Sequence, residues 1–208
     1  MEASDLIVLT ADADAEVTIR TLLGRHSALG IRPIRFRCAR MIGGGHDPGC
    51  RRRAHEFLRP FSRQFARALV VFDRHGCGDE RDRTEIEADV EAALSANGWE
   101  DRSAAVVIDP ELETWVWSLS PTVDAVLGWQ GRLPPLRTWL AARGFLAADA
   151  AKPSDPKRAM REALREATRS VSPSLFGAIA AKITLDGCVD PAFLKFRNTL
   201  RAWFPVER

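Results

Sequence analysis

The sequence lacks the features that assign a chain quickly to several classes of protein. It has no tyrosine and only four cysteines in 208 residues, with no Cys-x-x-Cys pair. No zinc-finger spacing or disulfide framework is therefore indicated, and the cysteines are expected to stay reduced. The net charge of +2 is too small to indicate a nucleic-acid-binding protein by itself, so any basic surface must be local.

The sequence also lacks long apolar runs. No run approaches the roughly 20 residues that a membrane-spanning helix needs, so we expect no membrane partner. The first residues are acidic and lead into a short strand-like run, which differs from a signal peptide and predicts a cytoplasmic protein. With 46% hydrophobic and 28% charged residues, the chain can build the core of one domain, with or without a helical appendage.

Short apolar runs alternate with helical patterns in the first half of the chain. This alternation predicts an α/β fold with a parallel sheet of about four strands flanked by helices. The run that contains Pro33 alternates apolar and basic residues and is expected at a sheet edge, because proline cannot donate to a strand ladder. The predicted strands are Asp5–Thr10, Ile31–Arg37, Leu69–Phe72 and Ser103–Asp109.

The segments between these strands are predicted from composition and apolar spacing. Met41–Cys50 contains three consecutive glycines and is expected to be a loop. Arg51–Arg67 is expected to be a basic helix that Pro60 breaks or kinks. Glu80–Asn97 has apolar residues at helical spacing and is predicted to be an amphipathic helix.

After Asp109 the strand patterns stop and helices that begin with proline follow. We therefore expect an α/β domain over residues 1–119 and a helical extension over residues 120–208 that packs on it. The tryptophans of this region are expected mostly in the core. The predicted helices are Pro110–Leu119, Pro121–Leu127, Pro134–Ala142, Pro156–Ser170, Pro173–Ile183 and Pro191–Trp203.

Acidic residues follow three of the four predicted strands. Parallel strands place their carboxyl ends at one edge of the sheet, where open α/β sheets bind ligands. Carboxylates from several elements that meet there predict a divalent-metal site, or the remnant of one. The alternative is that each acid only caps a helix or occupies its first turn. The acids are Asp12, Asp14 and Glu16, then Asp73 and Asp79, then Asp109, Glu111 and Glu113.

The segments LIVLTADADAEVTIRTLL, VVFDRHGCGD and DPELETWVWS, followed by KPSDPKRAMREAL in the tail, resemble the ordered motifs of Toprim-like proteins. The tail is similar to one branch, the domain of unknown function 4276 family, which accompanies bacterial phage-defence genes, including methylation-associated defence systems. The resemblance implies a Toprim-like, Rossmann-like sheet and a defence protein that could be a metal-dependent nuclease. It also implies other defence-system proteins, and DNA or RNA, as partners.

The resemblance implies specific roles for the acids. Asp73, Glu111, Glu113 and Asp12 would hold Mg²⁺ or Mn²⁺. The catalytic residues would be Asp12, Glu16, Asp73, His75 and Glu113, with Asp12 or Glu16 positioning the ion or acting as general base.

Two departures from the family's motifs favour an alternative function. Ala13 stands where a glycine is expected, and His75 stands where the second acid of an Asp-x-Asp motif is expected. Imidazole is a poorer ligand for Mg²⁺ than a carboxylate is. The alternative is therefore a catalytically inactive subunit that acts through protein–protein contacts in a defence complex.

Two further groups of residues are candidates for binding. Arg51, Arg52, Arg53 and Arg59 follow the glycine-rich loop and are predicted to guide a nucleic-acid backbone, since arginine suits phosphate. The alternative is a solvated helix face. A zinc site is conceivable from the soft ligands of two loops, although their spacing matches no known finger. Those ligands are Cys38, His46, Cys50, His75 and Cys77.

Overall fold

A four-stranded, all-parallel sheet forms the centre of the protein. The computed structural model describes residues 4–43, 45–118 and 120–206. The strands lie in the order β2-β1-β3-β4 and every neighbouring pair is parallel. This arrangement confirms the predicted fold class. The strands are β1 (Ser4–Thr10), β2 (Phe36–Arg40), β3 (Phe65–Asp73) and β4 (Ser103–Ile108).

Helices cover both faces of the sheet. None of the helices in the described part of the chain has the length and apolar character needed to cross a bilayer. The helices are α1 (Ala13–Gly24), α2 (His26–Leu29), α3 (His46–Leu58), α4 (Arg83–Leu94), α5 (Glu113–Val116), α6 (Pro121–Val126), α7 (Leu136–Ala142), α8 (Pro156–Glu166), α9 (Pro173–Lys182) and α10 (Pro191–Trp203).

Each face of the sheet has its own hydrophobic core. On one face, side chains of α3 and α4 pack on alternate residues of β1, β3 and β4, with Trp99 fully buried among them. On the other face, α1 and the helices of the second half of the chain pack on the remaining strand residues. The helical extension therefore shares one continuous core with the sheet.

The strand order creates a crevice at the carboxyl edge of the sheet. The chain leaves β1 through α1 to β2 on one side, and then returns past β1 to β3 on the other side. In open α/β sheets, such a reversal leaves a crevice between the two strands whose connections diverge, and ligands bind there. By this rule the expected ligand position lies between the ends of β1 and β3, beside Asp12 and Asp73.

The outer edge of β4 is covered by side chains instead of a fifth strand. Glu91 accepts a hydrogen bond from the backbone N–H of Ala105 at 2.9 Å, and the buried Glu87 accepts one from Val107 at 2.9 Å. Nζ of Lys195 in α10 lies 3.1 Å from Glu87 and 2.7 Å from Glu91. Strand edges with free N–H groups are prone to pairing with other chains, and these glutamates satisfy two such groups.

Two strands differ in extent from the prediction. β2 is an edge strand, as expected, but it spans Phe36–Arg40 instead of Ile31–Arg37. Pro33 lies in the connection before the strand, where it has no ladder to interrupt. β3 begins at Phe65, four residues before the predicted start, so the helix predicted over Arg51–Arg67 is shorter than expected.

The helix before β3 also begins earlier than predicted. α3 starts at His46, inside the segment that was expected to be a loop, and ends at Leu58. A single 3₁₀ turn that contains Pro60 follows, in agreement with a proline that ends the helix. The α4 helix starts at its capping box, in which Asp82 and Glu85 each accept a backbone N–H.

The helix predicted over Pro110–Leu119 is much shorter than expected. Only Glu113–Val116 is helical, and Pro110 follows a cis peptide bond instead of opening the helix. Leu119, the last residue of that predicted helix and of the predicted α/β domain, lies outside the described residues. The predicted core position of the tryptophans is confirmed for Trp115 and Trp117, which are 6% and 3% exposed.

The helical extension packs closely against the α/β unit where α9 meets α1. A Cβ atom added at Gly177 of α9 would lie 2.8 Å from Cγ1 of Val17, which is closer than real Cβ contacts allow. The glycine therefore permits the close approach of the two helices.

We expect Gly177→Val to lower the free energy of unfolding by about 1–3 kcal/mol, because the added carbons overfill a packed interface. Urea denaturation followed by circular dichroism measures the change. Gly24→Ala in α1 is the matched control, since nothing lies within 4 Å of its added Cβ. The control should be neutral or slightly stabilising, and a Gly177→Val variant as stable as the control would contradict this packing.

Candidate functional site

Carboxylates from three strand ends meet at the carboxyl edge of the sheet, as the sequence predicted. Asp12 follows β1 and caps α1, with its Oδ1 accepting the N–H of Ala15 at 2.9 Å. Asp73 ends β3. Glu111 and Glu113 follow β4 and are each 8% exposed. The charges of these acids interact with one another, which places them in one site.

Two further acids complete the group, which we call the acidic cluster: Asp12, Asp14, Asp47, Asp73, Glu111 and Glu113. The sequence pattern did not indicate Asp47, because its segment resembled a loop. In the structure Asp47 lies in the first turn of α3, and its Oδ1 accepts the backbone N–H of Asp73 at 2.9 Å. This bond ties α3 to the end of β3.

The crowding of carboxylates changes their proton affinity. Burial first, and then the charges of Asp47 and Glu113, raise the pKa of Asp73 well above its ordinary value. Burial is also the main cause of the raised pKa of Asp47 and Glu113. These shifts identify the cluster as a place where negative charge is costly.

Lys157 of α8 supplies the positive charge of the cluster. Its Nζ lies 3.0 Å from Oε1 of Glu111. The same charge lowers the pKa of Asp14, Asp47, Asp73 and Glu113 relative to what burial alone would give. Burial opposes the charge of Lys157 itself, but the attraction of Glu113 and the hydrogen bond to Glu111 outweigh it and raise the pKa of the lysine.

The start of α8 fixes the position of Lys157. Asp155 caps the helix, with its Oδ1 accepting the N–H of Arg158 at 2.9 Å. Pro156 is buried in the first turn, and its carbonyl accepts the indole N–H of Trp117 at 3.0 Å. The lysine therefore follows a residue that is anchored to the segment after β4.

His75 binds the same carboxylate as Lys157. Its Nδ1 lies 3.2 Å from Oε1 of Glu111, while 74% of its side chain is exposed. Its backbone N–H donates to the carbonyl of Pro110 at 3.0 Å, and the Arg74 guanidinium binds Asp109 at 2.8 Å. The turn after β3 is thus attached to the turn after β4, with the imidazole at the open rim.

Glu16 is placed outside the acidic cluster. Its carboxylate pairs with Arg20 one turn along α1 and with Nε of Arg40 at 2.9 Å. The predicted role of Glu16 in positioning an ion has no support in this geometry. Asp79, which the pattern also placed among the possible ligands, pairs with Arg51 and Arg81.

The four predicted phosphate-binding arginines divide into two groups. Arg51 is engaged inside the protein, where it donates to the carbonyls of Cys77 and Gly78 at 3.0 Å and to Asp79 at 2.9 Å. Arg51 therefore holds the turn after β3 against α3. Arg52, Arg53 and Arg59 are exposed.

The cysteines do not form a zinc site. Cys38 lies in the core on the α1 side of the sheet, whereas Cys50 and Cys77 lie in the core on the opposite side. Burial raises the pKa of the Cys38 thiol to about 12 and also raises that of Cys50 and Cys77. Thiols in such surroundings remain protonated and behave as small apolar residues.

A divalent metal is the ligand that the acidic cluster would be expected to hold. Carboxylate oxygens are suitable ligands for Mg²⁺ and Mn²⁺. However, among residues 4–43, 45–118 and 120–206, no group of three Asp, Glu, His or Cys side chains is arranged to hold an ion. Lys157 instead neutralises the charge at this position. As arranged here, the residues do not fit the metal that the Toprim-like resemblance implies.

Nothing matches the chain among protein-family models, curated proteins or solved structures.

Asp73→Asn is expected to stabilise the protein in a pH-dependent way. The folded-state pKa of Asp73 lies above that of the unfolded chain, so stability decreases as pH rises through the interval between the two values. Removing the charge should raise the free energy of unfolding at about pH 8 by about 1–3 kcal/mol, the usual penalty of a buried group without adequate partners. The gain should shrink as pH falls from the raised folded-state pKa of Asp73 towards the unfolded-state value of about 4, because wild-type Asp73 is then already protonated in the folded protein.

Asp5→Asn is the control, and its effect on the free energy of unfolding should have the opposite sign. Burial raises the pKa of Asp5, but the bonds from Arg32 and from the N–H of Arg35, at 2.6 Å and 2.7 Å, more than offset it and lower the pKa. This variant should be destabilised at neutral pH and approach the wild type in acid. Denaturant melts between about pH 4 and 8 measure both variants. Equal pH profiles for Asp73→Asn and the wild type would contradict the charge crowding.

Proposed function

We propose that the protein is a Toprim-like component of a bacterial anti-phage defence complex that acts by binding its partners instead of by metal-dependent cleavage. The observation that carries this proposal is the Lys157 ammonium, which lies 3.0 Å from Glu111 and interacts with the acids around it. The defence context comes from the resemblance of the sequence motifs described above.

A lysine can replace the charge of a divalent ion but not its chemistry. An ammonium neutralises carboxylates and donates hydrogen bonds, yet it has no coordination position to offer to a water or a phosphate oxygen. The acidic cluster with Lys157 therefore acts as a structural ion pair that joins the helical extension to the sheet. Loss of the metal with retention of the fold matches the two motif departures, Ala13 and His75.

The outer face of α3 supports a binding role. Arg52 and Arg53 are exposed on the helix that also carries Asp47, and the exposed Arg59 follows directly after its last residue. Planar guanidinium groups pair well with phosphates and with carboxylates of a partner. We propose this face as the contact with a nucleic-acid backbone or with an acidic surface of another defence protein.

A divalent-metal-dependent nuclease is the second candidate. The observation that favours it is Glu113, which is 8% exposed and, within the described residues, receives no hydrogen bond from another residue. Within the described residues its carboxylate is bound only by its own backbone N–H, so it can accept an additional cation. This candidate requires Lys157 to leave the cluster, because the present arrangement does not fit a metal.

Three proteins distinguish the two candidates: the wild type, Asp73→Asn and Lys157→Met. If the protein acts by binding, no variant cleaves DNA or RNA with Mg²⁺ or Mn²⁺. Asp73→Asn should then protect cells against phage to within about twofold of the wild type when it is expressed with its genomic neighbours, because it keeps the fold. Plaque counts and cleavage of labelled DNA and RNA are the measurements.

The nuclease candidate predicts a different pattern. The wild type would cleave with Mn²⁺, and Asp73→Asn would lose about 100-fold or more of that rate, as removal of an electrostatic catalytic group commonly does. Asp5→Asn serves as a control for general loss of stability, since Asp5 lies at the opposite end of β1 from the cluster. Cleavage that depends on Asp73 but not on Asp5 would overturn the binding proposal.

A further inference from the structure

A cavity of about 530 Å³ lies between α1, α5, α9 and the segment that joins α9 to α10. This volume is within the range of about 300–1,000 Å³ that is typical of small-molecule sites. Aromatic and aliphatic side chains form most of its wall. They include Trp115, Trp117, Phe176, Ile179, Ile183 and Phe193.

Hydrogen bonds hold the tryptophans of the cavity wall in place and satisfy their indole N–H groups. The indole N–H of Trp115 donates to Oδ1 of Asp190 at 2.9 Å, and the backbone N–H of Phe193 donates to the same oxygen at 3.0 Å. The indole N–H of Trp117 is bound to the carbonyl of Pro156. Both tryptophans therefore present apolar ring surface to the cavity without an unmet donor.

Among the described residues that line the cavity, Lys152 is the one cationic side chain. Its Nζ forms an ion pair with Oδ2 of the buried Asp190 at 3.8 Å, which is longer than a hydrogen bond. Within the described part of the chain, no acceptor lies close enough to bind this ammonium directly. The acidic lining residue, Asp186, is exposed to water. The ammonium donors of Lys152 are thus available to a bound anion.

We propose that this cavity binds a small amphipathic organic anion. Its aromatic or aliphatic body would lie against Trp115, Phe176 and Ile179, and its carboxylate, sulfonate or phosphate group would bind Lys152. Burial of the apolar body supplies most of the affinity. The charge–charge contact fixes the orientation and excludes cations.

The probe for this proposal is anilinonaphthalene sulfonate, an aromatic anion whose fluorescence increases in an apolar site. We expect saturable binding of one molecule per folded chain. Lys152→Met should weaken the affinity at least fivefold. Lys182→Met, which removes an exposed lysine of α9 that does not line the cavity, should leave the affinity unchanged.

A neutral probe separates recognition of charge from loss of shape. N-phenylnaphthylamine has the same aromatic body without the sulfonate, and its affinity should be the same in Lys152→Met and in the wild type. Ala151→Trp tests the location, because Ala151 is exposed and lines the cavity, so a large side chain there should block both probes.

Two results would overturn the proposal. If Lys152→Met weakens the neutral and the anionic probe equally, the lysine only maintains the shape of the cavity and does not recognise an anion. If Ala151→Trp binds both probes as the wild type does, the probes bind elsewhere. Circular dichroism and denaturant melts of each variant establish that the chain is folded in these comparisons.

Discussion

The attraction between Lys157 and the acidic cluster is the interaction on which the carboxyl edge of the sheet depends. Six carboxyl groups converge there from the ends of three strands and the first turns of α1 and α3. Burial disfavours the charges of Asp14, Asp47, Asp73 and Glu113, and neighbouring carboxylates add to this effect. Without the charge of Lys157, the pKa values of Asp14, Asp47, Asp73 and Glu113 would be raised further. Lys157 reduces this cost and at the same time anchors α8 to the sheet.

This interaction also explains why the helical extension is part of the same core. The lysine belongs to α8, its main partners follow β4, and the intervening segment is attached through Trp117 and Pro156. Lys195 of α10 makes a second link of the same kind, to Glu87 and Glu91 beside the edge of β4. In both places a cation from the helical extension neutralises acids of the α/β domain. Each link couples the folding of the helical extension to that of the α/β domain. Without the lysine, the partly buried glutamates of the α/β domain would lack a partner for their charge.

Much of the fold could be predicted from the sequence, because strand runs and helical spacing are local signals. The same local signals indicated the positions of Asp12, Asp73, Glu111 and Glu113. An acid at or shortly after the end of a parallel strand lies at the carboxyl edge of the sheet. Lys157 could not be predicted, because it is 46 residues from Glu111 and meets it only through tertiary packing. The orientation of Glu16 could not be predicted either. Its partner Arg40 lies on β2, and the two side chains meet only when the fold is complete.

The segment from Glu111 to Trp117 relates the acidic cluster to the apolar cavity. Glu111 and Glu113 face the cluster, whereas Leu112, Trp115 and Trp117 line the cavity. One short helix, α5, therefore forms a wall of both sites, and all four of its residues are buried. A buried element of this size cannot shift one side without shifting the other, because close-packed interiors transmit displacement. Trp115 of the cavity wall and Glu113 of the acidic cluster are therefore held in position by the same buried element.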